Sequence, residues 1–203
     1  MTAELAIAET RAWVERAVIG LNLCPFAKAP QARGRIRYVS SEATDVEALR
    51  ADLTAELKLL ASTPESRVET TLLIHPHVLG DFLDYNDFLG VAEDAVARLD
   101  LAGEIQVASF HPHYRFAGSE PGDPANATNR SPYPTLHLLR EAGISRAVAA
   151  FPEAASIFEA NIATMRQLGA EGWATLQRRC HDDAVAEAVS ASPTRTTKRQ
   201  SSS

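Results

Sequence analysis

Val68-Glu69-Thr70-Thr71-Leu72-Leu73-Ile74-His75-Pro76-His77 is a run of β-branched and apolar residues that ends in a histidine-proline-histidine tripeptide. Its hydrophobicity is too continuous for a sheet with one wet face, so Val68–Ile74 is predicted as a buried strand. The pattern recurs at Ile105–Phe110, which leads into His111-Pro112-His113. Between the two, residues from Asp84 to Leu99 place Phe88, Ala92, Ala95, Val96 and Leu99 at helical spacing. Upstream, Arg35–Ser40 alternates as a first strand, and Thr44-Asp45-Val46-Glu47 has the capping-box spacing that opens a helix carrying Val46, Leu49, Leu53, Leu57 and Leu60. Strand, helix, strand, helix, strand predicts an α/β fold: a small, mainly parallel, three-stranded sheet from a βαβαβ core.

Outside that core, Trp13, Val14, Ala17, Val18 and Leu21 put an amphipathic helix over about residues 3–19, closed by Gly20. Residues 24–34 read as irregular, and so does the long stretch Tyr114–Arg130 with Gly118, Pro121, Gly122 and Pro124. Ser131-Pro132 has the form of a helix start, with Gly143 as its stop. Two more helices are expected, about Pro152–Leu168 and Glu171–Val189, with Trp13 and Trp173 as core anchors. Residues 1–189 are therefore expected to form one α/β domain, and 190–203 (SASPTRTTKRQSSS) a disordered polar tail.

With 203 residues and 45% hydrophobic content the chain can bury a substantial core, and its net charge of −6 with scattered Lys and Arg argues against a nucleic-acid partner. No apolar run approaches the roughly 18 residues of a membrane span. Met1-Thr2-Ala3-Glu4 lacks a signal-peptide start, so a cytoplasmic location is expected, with Cys24 and Cys180 as thiols.

Histidines delivered to the C-terminal ends of parallel strands fall where α/β proteins bind ligands. His75 and His111, with Cys24 or an acid such as Asp84 or Asp87, could hold zinc or a related divalent ion with an open position for water. The leading expectation is thus a small-molecule enzyme, a metal-dependent hydrolase or related activity. Two alternatives stand beside it. Cys24 could be a nucleophile activated by His75 or His111 without metal, or the protein could be a non-catalytic binder of a small anion or of another protein, its histidines capping strand ends. Asn126, Asn129, Arg130, Ser131 and His137, spread over the loop and the expected helix start, form a candidate site for an anionic substrate. Glu120 is a candidate acid or base. Asp81, Asp84 and Asp87 read first as complements to a helix N-terminus and only second as Mg²⁺ ligands.

Three stretches together carry a resemblance: Gly20-Leu21-Asn22-Leu23-Cys24-Pro25-Phe26-Ala27, Leu79-Gly80-Asp81-Phe82-Leu83-Asp84-Tyr85-Asn86-Asp87-Phe88, and Thr128-Asn129-Arg130-Ser131-Pro132-Tyr133-Pro134-Thr135-Leu136-His137-Leu138-Leu139-Arg140-Glu141. With them the chain resembles the bacterial domain-of-unknown-function family 1415 from Ala6 to about Leu176. The resemblance implies a bacterial cytosolic protein and supplies no activity. In the family pattern His-Pro stands at both strand ends, often with glutamine at the positions of His77 and His113, which puts the weight on His75 and His111. Ser119 takes the place of a threonine and keeps the hydroxyl.

Overall fold

The computed structural model describes residues 1–150 and 156–191. Four strands form one sheet: β1 (Ile36–Ser40), β2 (Thr70–Ile74), β3 (Ile105–Phe110) and β4 (Thr135–Arg140), in the order β1-β2-β4-β3. β1 and β2 are parallel, whereas β4 runs antiparallel to both β2 and β3. The expected three-stranded, mainly parallel sheet is corrected accordingly. β2 and β3 do point the same way, but β4 is wedged between them.

The wedge comes from the segment read above as a helix start. Ser131 caps nothing: its hydroxyl donates to the Tyr133 carbonyl at 2.6 Å, inside a turn. Thr135–Arg140 has a period of two, with Leu136 and Leu138 fully buried on one face and His137 and Leu139 on the other. The helix instead begins at Glu141, as α5 (Glu141–Ala150), so Gly143 lies within it and does not end it.

The first face of the sheet is sealed by α3 (Val46–Ser62) and α4 (Phe82–Arg98), through Leu49, Leu53, Leu57 and Leu60 of α3 and Tyr85, Phe88 and Ala92 of α4. The α3 cap is Asp45, whose carboxylate accepts the Ala48 N–H at 2.8 Å; Thr44 is not the cap. α4 starts two residues earlier than expected because Asp81 accepts from Leu83 and Asp84 N–H groups at 2.8 and 3.3 Å. From β1, Arg37 reaches the first face and grips Glu56 of α3 through two parallel hydrogen bonds of 2.7 and 2.9 Å.

The second face meets α1 (Ala3–Trp13), which runs into a π-helical turn at Val14–Ile19, and α6 (Ile157–Ala191), which packs along α1. Trp13, Val14, Ala17, Met165, Trp173 and Cys180 form this second core with Leu72 of the sheet. α6 is interrupted at Gly169, whose φ of 67° breaks it between the two helices expected from sequence. Its second half runs on through Ser190 and Ala191; the rest of the expected tail, and Pro152, lie outside the described residues. A short helix, α2 (Lys28–Ala32), sits within the segment read as irregular. Among the described residues no helix is long and apolar enough to cross a membrane.

Tyr85 ties the layers together. Its hydroxyl donates to the Thr135 carbonyl at 2.8 Å and accepts the Phe110 N–H at 3.1 Å, joining α4 to the facing ends of β3 and β4. Tyr85→Phe keeps the ring and leaves a backbone N–H without its partner. It is expected to lower unfolding free energy by about 1–3 kcal/mol in chemical denaturation, with little change in the slope of the transition.

Candidate functional site

Both His-Pro pairs fall on one edge of the sheet, and the structure gives their members different surroundings. His75 and His111 are fully buried, whereas His77 and His113 are exposed. Ile74 and Phe110 both register against Thr135, so β4 separates the two strand ends by two interstrand spacings, about 10 Å. Tyr85 packs against both rings, 5.7 Å from His75 and 5.0 Å from His111, centroid to centroid.

The hydrogen bonds of these rings fix their protonation. His111 Nδ1 accepts the His113 N–H at 3.0 Å, so Nε2 carries the proton and donates to the Leu79 carbonyl at 3.1 Å. No lone pair of His111 is left for a metal. His75 donates from Nδ1 to the Val78 carbonyl at 3.1 Å, and its Nε2 is buried without a partner among the described residues. Burial drives the His75 pKa down from 6.5 to about 4 and lowers that of His111 as well. The two rings serve as neutral struts for the turns after β2 and β3. No group of three or more His, Cys, Asp or Glu side chains poised to hold an ion occurs among the described residues.

Cys24 lies on the opposite face of the sheet from His75 and His111. The proposed ligand set and the proposed Cys24 partnership with either ring are therefore not brought together. Cys24 instead lines a cavity of about 810 Å³ between the second face and the first helix. Trp13 and Val18 form one wall, Ile144 and Ala147 another, and Leu72, Ala108 and Phe110 the sheet floor. Pro25, Phe26 and Ala27 follow the cysteine along the rim.

The shape of this wall follows from the sequence Gly20–Ala27. Gly20 ends the π-helical turn where an added Cβ would lie 2.3 Å from the Arg16 carbonyl oxygen, so only glycine fits. Asn22 takes a left-handed φ of 55°, and the Cys24 N–H returns to the Val18 carbonyl at 3.2 Å. Burial raises the thiol pKa, against the Phe26 and Ala27 amides, which favour the thiolate. At neutral pH Cys24 is a protonated thiol.

His137 supplies the polar centre of the cavity. Thr70 donates its hydroxyl proton to the Leu138 carbonyl at 2.6 Å, so towards His137 it can only accept, from Nε2–H at 2.7 Å. Nδ1 of His137 keeps its lone pair and has no hydrogen-bond partner among the described residues. Burial holds the pKa of this ring at about 4, so it is neutral. At the mouth, Arg33, Arg35, Arg140 and Arg146 meet only two carboxylates, Glu65 and Glu69. Sequence reasoning singled out His137 as part of a helix start; the period-two pattern of Leu136 and Leu138 is the signal that places it on a sheet face. Thr70, the first residue of β2, carries no such signal of its own.

The remaining candidates belong to the long loop. Asn126 is buried and accepts from the Phe116 N–H at 3.0 Å and the Ser119 hydroxyl at 2.7 Å, while its amide donates to the Glu120 carbonyl at 2.9 Å. Asn129 makes a long contact of 3.4 Å to the Ser109 carbonyl. Arg130 donates to the Tyr114 and Pro121 carbonyls at 3.2 and 3.1 Å. Glu120 is exposed and lies outside the cavity of Cys24 and His137. Since no helix starts at Ser131, the expected pairing of Arg130 with a helix N-terminus is corrected: Asn126, Asn129 and Ser131 hold backbone, and His137 belongs to the other cavity.

Two desolvated neutral imidazoles, His75 in the interior and His137 in the cavity, make stability pH-dependent. Their folded pKa values near 4 lie below the ordinary 6.5, so on acidification the unfolded chain takes up protons first. Stability is expected to be complete above about pH 6.5 and to fall towards pH 4, by up to about 1.4 kcal/mol per pH unit for each ring. His137→Leu should remove its share of that slope in denaturation curves measured at several pH values.

A family model described as "Protein of unknown function (DUF1415)" matches residues 5–175. No curated protein and no solved structure matches the chain.

Proposed function

We propose that this chain, which belongs to the DUF1415 family of proteins of unknown function, binds a small organic molecule with an apolar body and an acidic end in the cavity on the second face of its sheet. The observation that carries the reading is the Thr70–His137 pair. It spends two polar side chains inside apolar walls, and its hydrogen-bond order leaves one lone pair, on Nδ1, as an acceptor for a ligand O–H or N–H. The surplus of arginine at the mouth suits a carboxylate or similar anionic end. Two of the three stretches that carry the resemblance run along this cavity: one brings Cys24, Pro25, Phe26 and Ala27, the other His137, Leu139 and Arg140.

Cys24 in the same cavity favours a second, catalytic reading. Its sulfur would add to a carbonyl carbon of the ligand, the C=O π bond opening so that its electron pair rests on oxygen, while the thiol proton passes to His137 Nδ1 and from there to that oxygen. In the empty protein the thiol is protonated, so this step would depend on the bound ligand bringing donor and acceptor together. A metal-dependent hydrolase built on His75, His111 and Cys24 is the weaker reading, because His111 has no free lone pair and Cys24 lies across the sheet.

The first test uses 1-anilinonaphthalene-8-sulfonate, an apolar ring system with an anionic end. Saturable binding is expected, with energy transfer from Trp13, and Ala108→Phe should weaken it at least tenfold while leaving the melting temperature near that of the parent. Binding that fails to saturate, or that Ala108→Phe leaves unchanged, would overturn the reading. For the catalytic version, iodoacetamide at pH 7 should alkylate Cys24 more slowly than a free thiol and Cys180 hardly at all, since Cys180 is buried. Alkylated protein should lose the dye; retention of full dye affinity would place the thiol outside the ligand's reach.

A further inference from the structure

We infer that a second site, a groove at the C-terminal edge of the sheet between the long loop and the start of α4, binds a small oxyanion through Arg130 and Arg115. The groove has a volume of about 570 Å³, and Asn86, His113, Phe82 and Asp81 line it beside the two arginines.

Charge balance carries the argument. Five guanidinium groups elsewhere rest on carboxylates, Arg11 on Glu187, Arg16 on Asp183, Arg35 on Glu69, Arg37 on Glu56 and Arg146 on Glu65, while Arg140 spends its donors on three carbonyls, of Leu60, Thr63 and Val68. Arg130 is half-buried, and its partners among the described residues are two neutral carbonyl oxygens, of Tyr114 and Pro121. Carbonyls orient a guanidinium without neutralising it, and a partly desolvated cation lacking a counter-charge is costly. Burial accordingly lowers the Arg130 pKa. Arg115 is exposed and forms no ion pair among the described residues. The one carboxylate in the groove, Asp81, accepts from the Leu83 and Asp84 N–H groups through a single oxygen and keeps its charge, so one negative charge stands against two guanidinium groups.

The groove is also built in advance. Asn126 binds the loop to itself at Phe116, Ser119 and Glu120, which fixes the stretch carrying Arg115, and the two carbonyl contacts hold the Arg130 fork. One positioned guanidinium, of Arg130, and a second, of Arg115, carried on a fixed stretch of backbone at the same groove, offer N–H donors to the oxygens of a phosphate or carboxylate. Phe82 and the 68%-exposed Leu83 offer an apolar surface for the rest of such a molecule. This site is separate from the cavity of Cys24 and His137 and stands or falls independently of it.

The experiment is a titration of the full chain with inorganic phosphate and, in parallel, acetate, followed by amide chemical shifts in ¹⁵N-labelled protein. Saturable shifts are expected in residues 81–86, 113–117 and 130, with Arg115→Gln weakening the affinity about tenfold or more, the loss of one charge-assisted hydrogen bond. Arg115 is exposed, so this variant should fold and melt as the parent does; Arg50→Gln, on the exposed surface of α3 and outside both cavities, should leave phosphate affinity unchanged. Tighter binding of phosphate assigns a tetrahedral group, and equal or tighter binding of acetate assigns a carboxylate. Shifts that do not saturate, an unchanged affinity in Arg115→Gln, or shifts centred on Arg33 and Arg35 would overturn the site.

Discussion

β4 is the strand on which the rest of the molecule depends. It lies antiparallel between two strands that run together, and it completes the hydrogen-bond ladders of both. Its side-chain parity does equally much. Leu136 and Leu138 enter the core under α3 and α4, while His137 and Leu139 enter the cavity on the other side. A slip of one residue would exchange the two sets, putting an imidazole among leucines and leaving Thr70 without its partner.

The two faces are closed to different degrees. The first is filled by leucines at regular helical spacing from α3 and by the aromatic side chains of α4, as a packed interior requires. On the second face, α1 and α6 cover only part of the sheet, and the loop after the π-helical turn stands off from the strands. The open volume is thus lined by the same strand residues that elsewhere would be core. Its polar atoms are few and their hydrogen-bond order is fixed, which is the pattern of a recognition pocket more than of a packing fault. The C-terminal edge has the opposite character: a polar groove in which backbone carbonyls hold the Arg130 guanidinium and backbone N–H groups hold the Asp81 carboxylate.

Much of the frame was legible in the residues. β2, β3, both crossover helices, the amphipathic first helix and the break in α6 all follow from apolar period and from glycine. β4 was not, because Ser131-Pro132 imitates a helix start and a six-residue apolar strand offers little length to contradict it. The site was misread for a related reason. His75 and His111 stand at the correct edge, but sequence cannot show that Tyr85 covers them or that the His113 amide takes the lone pair a metal would need. Cys24 and His137, named separately, share a cavity only because β4 turned out to be a strand.

The π-helical turn at Val14–Ile19 adds a constraint of phase. A single residue corresponds to about 100° of rotation around a helix. Upstream, α1 presents Ala6, Ala8 and Ala12 to the interior and Arg11 to Glu187 of α6; downstream, Val14 and Val18 face the cavity. Deleting one residue between them would restore ordinary winding and twist one half out of register with its neighbours. Substitutions on the outer surface of this segment leave that phase intact, whereas any change in its length does not. The number of residues here is therefore under tighter control than their identity.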